Sequence, residues 1–327
     1  MKRVLIIGGN GNIGYALAQE CLLAGYDVCC FNRGLSGPCP DGVEVIKGDR
    51  NELNNSRAAI AADTRDLIVD LICFDHSDAE IGGDVFRGTG HYIHCSSVAT
   101  YGRHLTRIPT TEDDPLLPEN DYGKGKLQAD NYLLSKCSPE RLPVTIVKPA
   151  ITYSSRFGLL RQIGMDMNWL ARIRAGLPIL VADNGAALHQ FMHASDVARA
   201  ILELAFKPET IGATYNIVAP EPTSWNDYHK TAMQVLGRQV KLIGIAAPLL
   251  LEECAKRGYQ PTDIFTHNSV FSGAKLMRAT GFLPSFSLYE GMAQVIEELT
   301  SGDKLPDIEA EWWEDEITEK YSSFVVG

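Results

Sequence analysis

The sequence contains no apolar stretch long enough to span a bilayer, and the short apolar run after Lys2 and Arg3 ends in glycines, unlike a signal peptide. Its eight cysteines form no Cys-x-x-Cys pair and no cysteine–histidine cluster with the spacing of a zinc site. Scattered cysteines of this kind are typical of the reducing cytoplasm, where they pack as small apolar residues. These absences predict a cytoplasmic protein that has no membrane partner.

Positive charge is also scarce, since 30 lysines and arginines face 41 acidic residues, for a net charge of −11. A nucleic-acid-binding protein usually carries a basic patch, so we expect no nucleic-acid partner. His189 and His193 are four residues apart, but no third ligand accompanies them, and we expect no metal site.

The most informative feature that is present lies at the start of the chain. The apolar run Val4 to Ile7 reads as a buried parallel strand, segment 8–14 is rich in glycine, and a helical segment, Tyr15 to Ala24, follows at once. In this context the glycines let the backbone approach a pyrophosphate, which the helix N-terminus then stabilises. The pattern predicts a dinucleotide site whose ligands in this segment are Gly8, Gly11, Asn12, Ile13 and Gly14.

Strand-like and helix-like segments alternate through the first half of the 327 residues. This alternation predicts an α/β fold with a Rossmann-type doubly wound parallel sheet. We assign residues 1–150 to the NAD(P)-binding domain, with a later segment at about 190–220 returning to it. Residues 151–327 are assigned mostly to a smaller mixed α/β substrate-binding lobe, and the active site is expected in the crevice between the two.

Several local expectations can be compared directly with the structure. The pattern predicts helices over Leu53–Ala61 and Leu159–Ala175, and a helix over Asp196–Phe206 that Ser195 could cap. An acidic tail that contains Trp312 and Trp313 ends the sequence, and its pattern leaves open whether it packs on the body of the protein or on a partner.

Three residues form a candidate catalytic group. Ser97 follows the strand-like segment His91 to Cys95, and Tyr122 and Lys126 are four residues apart at the start of a predicted helix. That spacing places the phenol and the ammonium on one helix face. A nearby ammonium and an oxidised nicotinamide would both favour the phenolate, so we expect a lowered pKa for Tyr122, which then acts as the acid/base while Ser97 binds the same substrate oxygen.

Together these motifs resemble the extended short-chain dehydrogenase/reductase superfamily, the group of NAD(P)-dependent sugar-nucleotide epimerases, dehydratases and reductases. The resemblance rests on segments 8–14 (GGNGNIG), 48–50 (GDR), 96–102 (SSVATYG), 122–126 (YGKGK), 148–150 (KPA) and 190–198 (QFMHASDVA). It implies the same catalytic roles for Ser97 and Tyr122, and Lys126 as the residue that tunes the tyrosine and binds the cofactor ribose. It also implies that Asp49 and Arg50 lie beside the cofactor, with Asp49 near the adenine, and that a homodimer is possible.

The departures from the family pattern bear on cofactor and substrate. NAD-preferring members usually carry an acid at the end of the second strand, where this chain has Asn32 and Arg33. The neutral Asn32 does not repel a 2′-phosphate and Arg33 can pair with one, so we favour NADP over NAD. Val98 and Ala99 replace the acids of dehydratases, which argues against dehydration.

The substrate prediction is broader. Many sugar-nucleotide enzymes carry an arginine at the start of segment 190–198 to hold the diphosphate, and here His189 and Gln190 occupy that region. Other arginines could substitute, but they read better as exposed helix-face charges: Arg156, Arg161, Arg172 and Arg174. We expect hydride transfer at a secondary alcohol or ketone carbon of a sugar or sugar-nucleotide, by either epimerisation or net reduction. One alternative is an NADPH ketoreductase for a non-sugar metabolite. The other is a non-catalytic nucleotide-bound or RNA-binding relative, since segments 32–34, 48–50 and 190–197 are also similar to the branch that contains chloroplast stem-loop RNA-binding proteins.

Overall fold

The computed structural model of the chain describes residues 1–259, 263–306, 308 and 313–321. The strands are β1 (Arg3–Ile7), β2 (Asp27–Asn32), β3 (Glu44–Lys47), β4 (Leu67–Asp70), β5 (Tyr92–Cys95), β6 (Val144–Pro149), β7 (Ile151–Tyr153), β8 (Ile179–Ala182), β9 (Leu188–His189), β10 (Phe191–His193), β11 (Thr214–Ile217), β12 (Thr223–Ser224) and β13 (Leu242–Ile245). The helices are α1 (Asn12–Leu23), α2 (Arg57–Ile60), α3 (His76–Val85), α4 (Asp121–Lys136), α5 (Asn168–Ala175), α6 (Ala194–Leu204), α7 (Trp225–Val235), α8 (Ala247–Lys256), α9 (Ala274–Thr280), α10 (Leu288–Ser301) and α11 (Trp313–Tyr321). Within these described ranges, no helix is both long enough and apolar enough to cross a membrane.

The described residues divide into two compact units. The first contains Met1–Thr152, Ala194–Pro220 and Phe271–Pro284, and the second takes the rest of the described chain. The return over 271–284 has no counterpart in the sequence prediction.

A seven-stranded parallel sheet organises the first unit, in the order β11-β6-β5-β4-β1-β2-β3. Strand β1 lies between β4 and β2, so the strand order reverses at β1, where a doubly wound sheet opens a crevice at its carboxyl edge. The apolar run of β1 is fully buried from Val4 to Ile7, as a parallel strand covered on both faces requires. The predicted Rossmann-type α/β fold is confirmed.

Two helix boundaries in this unit differ from the prediction. In place of a helix over 53–61, a 3₁₀ segment, Arg50–Ser56, leads into the four-residue α2, and Ala61 ends it with a φ of 44°. Asparagine and serine at 54–56 compete for backbone hydrogen bonds and so weaken an α-helix. Helix α6 already begins at Ala194, so Ser195 is not its N-cap. The returning α6 packs against α1.

In the second unit, β8 pairs in parallel with β13, and the predicted helix over 159–175 is reduced to α5. Residues before α5 form a tight loop in which Arg161 N donates to Gly164 O at 3.1 Å, and the Asp166 carboxylate accepts from Asn168 N at 3.0 Å. Just before the predicted helix, Gly158 has a φ of +90°, which starts the segment in a turn and not in a helix. The prediction missed these because the apolar spacing of the segment is also helical.

The expected exposed arginines include two that are almost fully buried. Arg161 and Arg172 are each 1% exposed and pair with Glu314 of α11, whose carboxylate is completely buried. Trp313 packs against Tyr259, with ring centroids 5.1 Å apart. The acidic tail therefore packs on its own unit at Trp313 and Glu314, while Trp312 lies outside the described residues. The interpretation of Arg161 and Arg172 as surface charges, or as diphosphate ligands, was wrong because burial of Glu314 requires both cations.

A buried histidine in the first unit makes folding sensitive to acid. His91 Nδ1 accepts from Phe206 N at 3.1 Å, and Nε2 lies 2.8 Å from the Thr145 hydroxyl, which itself donates to Thr210 O. This network requires a neutral ring, and burial lowers the pKa of His91 to about 4.

Because the unfolded chain binds a proton near pH 6.5 and the folded one does not, stability should fall as pH drops from about 6.5 to 4. We expect wild type to lose about 2 kcal/mol more than His91→Gln between pH 7 and pH 5. Urea unfolding at both pH values measures this, and equal losses would contradict it.

Candidate cofactor and catalytic site

The glycine-rich loop between β1 and α1 is built by steric necessity. Gly8 adopts a φ of +88°, which glycine alone accepts readily, and a side chain at Gly14 would overlap Gly8 O and Gly9 Cα. A Cβ on Gly9 would overlap Cys30 Sγ. By contrast, a Cβ on Gly11 would meet only Gly8 O, at 3.4 Å. Gly11 therefore leaves the N-terminus of α1 open to a ligand.

The first turn of α1 fits a pyrophosphate. Gly11 is the N-cap and makes no side-chain cap hydrogen bond, so no protein side chain replaces an anion there. The Asn12 amide donates to Thr152 O at 3.0 Å, which fixes the loop against the end of the domain, and Ile13 is half-buried.

A cavity of about 320 Å³ extends from this loop, within the size range of small-molecule sites. Its lining includes Gly8, Asn10, Gly11, Asn32, Arg33, Asp49, Arg50, Ile72 and Phe74. The Asn32 amide oxygen accepts from Gly34 N at 2.9 Å, and its nitrogen lies 3.3 Å from Cys39 Sγ. The end of β2 thus presents a neutral, fixed amide.

Two charged residues flank that amide. The Arg33 side chain is 62% exposed and its Nη1 lies 3.8 Å from the Asp49 carboxylate. Such an exposed pair is weak, so Arg33 can turn to another anion at little cost. Asp49 also accepts from Asn51 N at 2.9 Å, which holds its carboxylate at the cavity.

Arg50 lines the cavity and is held there by acidic residues of the protein. Its Nη1 lies 2.7 Å from Asp70, its Nε 3.1 Å from Asp78, and its Nη2 donates to Asp78 O. All three nitrogens face internal acceptors, and the side chain is 7% exposed. Arg50 therefore neutralises the buried Asp70, and its contact with a cofactor stays a prediction.

The structure brings Ser97 and Tyr122 together. Ser97 is the N-cap of the 3₁₀ helix Val98–Tyr101 that follows β5, and its hydroxyl is close enough to the phenol of Tyr122, in the first turn of α4, to act on the pKa of that phenol. Burial raises the pKa of Tyr122 to about 12, while the hydrogen bond from Ser97 opposes that rise. The pKa of Tyr122 is therefore raised in the protein alone, and the lowering expected beside an oxidised nicotinamide stays a prediction.

Lys126 is held by the main chain beside the tyrosine. Its ammonium donates to Cys73 O at 2.8 Å and to Cys95 O at 2.7 Å, and it lies 5.9 Å from the centre of the Tyr122 ring. Two backbone carbonyls thus share its charge. The spacing of four residues does place lysine and tyrosine on one helix face, as predicted.

Phe74 is a site residue that sequence reasoning missed. Its half-exposed ring lines the cavity, lies 6.4 Å from the Tyr122 ring, and covers the Lys126 ammonium at 4.7 Å. The ring therefore connects the glycine-loop cavity to the tyrosine. A lone phenylalanine after a strand carries no signal that could have revealed this.

The two glycines of Tyr-Gly-Lys-Gly-Lys explain how α4 comes so close to the loops that follow β4 and β5. A Cβ on Gly123 would lie 2.6 Å from Ala99 O, and one on Gly125 would lie 2.6 Å from Phe74 O. Their absence of side chains lets the first turn of α4 rest on the loops that follow β4 and β5. The motif therefore serves packing as well as chemistry.

Gly125→Ala should consequently be harmful, although alanine is normally favoured in a helix by about 1 kcal/mol. The new methyl group meets backbone, so α4 must shift, at a cost of about 1–3 kcal/mol. We expect a lower melting temperature and weaker NADPH binding. Gly83→Ala in α3 is the matched control, since its closest neighbour is the movable Tyr132 side chain, 3.3 Å away. Equal stability of both variants would contradict the expectation.

The two histidines considered for metal binding have other surroundings. His189 is buried among aromatic rings, 5.3 Å from that of Trp225, and burial lowers its pKa to about 4. His193 packs against Phe286 at 4.5 Å. Across the described part of the chain, no group of three or more histidine, cysteine or acidic residues is placed to hold a metal ion.

Comparison with known proteins agrees with this geometry. The model of the NAD dependent epimerase/dehydratase family matches residues 4–218. The 2'-dehydrokanamycin reductase of Streptomyces kanamyceticus is 28% identical over 77% of this chain and 71% of that protein. The chloroplast stem-loop binding protein of 41 kDa b of Arabidopsis thaliana is 24% identical over 89% of this chain and 77% of that protein.

Solved structures share the fold. The UDP-glucose 4-epimerase of Thermotoga maritima, solved with UDP-glucose, superposes with a TM-score of 0.76 at 19% identity, covering 92% of this chain and 99% of that one. The family model covers well over half of the sequence and includes the glycine loop, Ser97, Tyr122 and Lys126. The chain belongs to the NAD dependent epimerase/dehydratase family of enzymes.

Proposed function

We propose that this protein is an NADPH-preferring reductase that acts on a ketone carbon of a sugar or sugar-like ring, with Tyr122 as the proton donor. The observation that carries the proposal is the grouping of Ser97, Tyr122 and Lys126 beside Phe74, which lines the cavity of a glycine loop that fits a dinucleotide. The reductase relative favours reduction over epimerisation.

The residues have distinct tasks in this reaction. When bound, the nicotinamide supplies the hydride. The Ser97 hydroxyl binds the ketone oxygen, and the Tyr122 phenol gives that oxygen its proton. The raised pKa of Tyr122 means that the phenol carries its proton near neutral pH, before the ketone is reduced. Lys126, held between two carbonyls, then stabilises the phenolate that remains.

The cofactor preference rests on the end of β2. The neutral Asn32 does not repel a 2′-phosphate, and the weakly paired Arg33 is available to bind one. Asp49, beside Arg33, is left to contact the adenine. The same arrangement disfavours NAD, whose ribose hydroxyls usually bind an acid at this position.

Arg33→Gln should raise the Kd for NADPH about tenfold or more and leave that for NADH nearly unchanged, because a charged hydrogen bond contributes about 1.5–3 kcal/mol. Asn32→Asp should move the preference towards NADH. Cofactor fluorescence measures both constants. Arg57→Gln, another exposed arginine of the same unit that does not line the cavity, is the control. Equal losses for both cofactors would contradict the 2′-phosphate role.

The function itself is tested with deuterated NADPH and a panel of keto-sugars that includes 2′-dehydrokanamycin and dTDP-4-dehydrorhamnose. We expect deuterium in the product and stoichiometric NADPH consumption. Inverted product without net cofactor consumption would instead establish epimerisation. Tight NADPH binding with no turnover on sugars but reduction of simple ketones would favour the non-sugar alternative.

A further inference from the structure

A buried polar cluster lies beside the catalytic residues and takes no part in the steps above. The Asp130 carboxylate accepts from Ser96 Oγ at 2.9 Å and from Lys148 Nζ at 2.6 Å, and lies 3.1 Å from His94 Nε2. Lys148 Nζ also donates to the Thr100 hydroxyl at 2.6 Å. All five residues are almost completely buried.

The positions of these residues join the two halves of the catalytic group. Asp130 lies one helical turn beyond Lys126 on α4, the helix that also carries Tyr122. Ser96 directly precedes Ser97, and Thr100 belongs to the 3₁₀ helix that Ser97 caps. One carboxylate, with Lys148 of β6, therefore ties the serine loop to the tyrosine helix.

The charges in this cluster depend on one another. Burial acts to raise the pKa of Asp130, but the contact with His94 and the charge of Lys148 outweigh it and hold the pKa at about 2. Removing either partner of a buried ion pair leaves the other charge uncompensated in a low dielectric. The Asp130 charge also acts on Tyr122, since it contributes to the raised pKa of that phenol.

We propose that Asp130 and Lys148 are a positioning pair that holds the Ser97 loop against the helix of Tyr122 and Lys126 and sets the electric field at the Tyr122 phenol. This proposal rests on the proposed function of Tyr122. The titratable and charged groups that face the pair and the phenol are Asp70 of β4, His94 and Cys95 of β5, Tyr101 of the 3₁₀ helix, and Lys126 of α4.

The two partners should shift the Tyr122 titration in opposite directions. Asp130→Asn removes a negative charge, so the phenolate forms at lower pH. Burial lowers the pKa of Lys148, so its ammonium acts on the phenol only when Tyr122 titrates below that pKa, as the positive charge of bound NADP⁺ favours. In that range Lys148→Met leaves the Asp130 carboxylate without its partner, so the phenolate forms at higher pH. Each variant should shift the pKa of Tyr122 by roughly 0.5–1 unit, because an effective dielectric near 20 weakens the interaction between charges that are not in contact. If the pair had a purely structural role, either substitution would loosen the site, and both variants would shift the pKa of Tyr122 in the same direction.

The experiment follows tyrosinate absorbance of the NADP⁺-loaded protein, minus that of the same background with Tyr122→Phe, from neutral to alkaline pH. We expect a lower midpoint for Asp130→Asn, a higher one for Lys148→Met, and a nearly unchanged one for Lys148→Arg, which keeps the charge. Glu314→Gln is the matched control: it breaks a buried ion pair in the other unit, so it should lower the melting temperature without moving the midpoint.

Shifts of the same sign, or no shift in variants that retain their fold and bind NADP⁺, would overturn the proposal. If Lys148→Met does not fold, comparing Asp130→Asn with Lys148→Arg still tests the proposal, because only Asp130→Asn should move the midpoint of the Tyr122 titration. If wild type itself fails to bind NADP⁺, the proposed function fails, while the shift of Asp130→Asn remains measurable in the protein alone, because the Asp130 carboxylate is ionised throughout the alkaline range.

Discussion

Tyr122→Phe should lower turnover by about 10²–10⁴-fold, the range that a positioned acid contributes, and leave the Kd for NADPH within twofold. The substitution removes only a hydroxyl that contacts Ser97, and the ring keeps its packing beside Phe74. The loss should therefore appear in kcat with little change in cofactor affinity. Stopped-flow reduction with deuterated NADPH, together with fluorescence titration of NADPH, separates the two.

Ser97→Ala is the companion variant. It removes the hydrogen bond to the phenol and to the substrate oxygen, so we expect a smaller loss of kcat and a higher Michaelis constant for the ketone. Full activity of Tyr122→Phe at pH 7 would remove this residue from the chemistry and would favour the non-catalytic alternative.

Gly11→Ala should weaken NADPH binding by about 10–100-fold, equivalent to about 1.4–2.8 kcal/mol, while leaving the fold intact. A Cβ at this position meets the protein only at Gly8 O, 3.4 Å away, so the protein accommodates it. The lost affinity would come from the approach of the pyrophosphate to the backbone at the N-terminus of α1. Isothermal calorimetry and thermal melting measure the two effects independently.

Gly14→Ala provides the contrast. Its Cβ would overlap Gly8 O and Gly9 Cα, both backbone atoms, so the loop itself must deform and the melting temperature should fall together with the affinity. A Gly11→Ala protein that binds NADPH as tightly as wild type would show that the dinucleotide does not lie on this loop.

Patterns in the sequence predicted the sheet well because each strand carries its own signal. The run Val4 to Ile7 is apolar throughout, since both faces of a central parallel strand are covered, and it lies in β1. The weaker predictions fell where local spacing was ambiguous. The segment 159–167 has helical spacing, yet it forms a loop in which Arg161 and Gly164 exchange backbone hydrogen bonds and the Asp166 carboxylate accepts from Asn168 N.

The sequence by itself determined the fold class, the glycine loop and the shared face of Tyr122 and Lys126, because these depend on spacing along one short stretch of chain. The tertiary structure alone decided that Arg50 neutralises Asp70, that Glu314 forms a buried ion pair with Arg161, and that Asp130 joins two catalytic segments. Each of these contacts joins residues 20 to 153 positions apart. Charged side chains carry no local sign of their partners, so only the packed chain reveals which charges are free to act on a ligand.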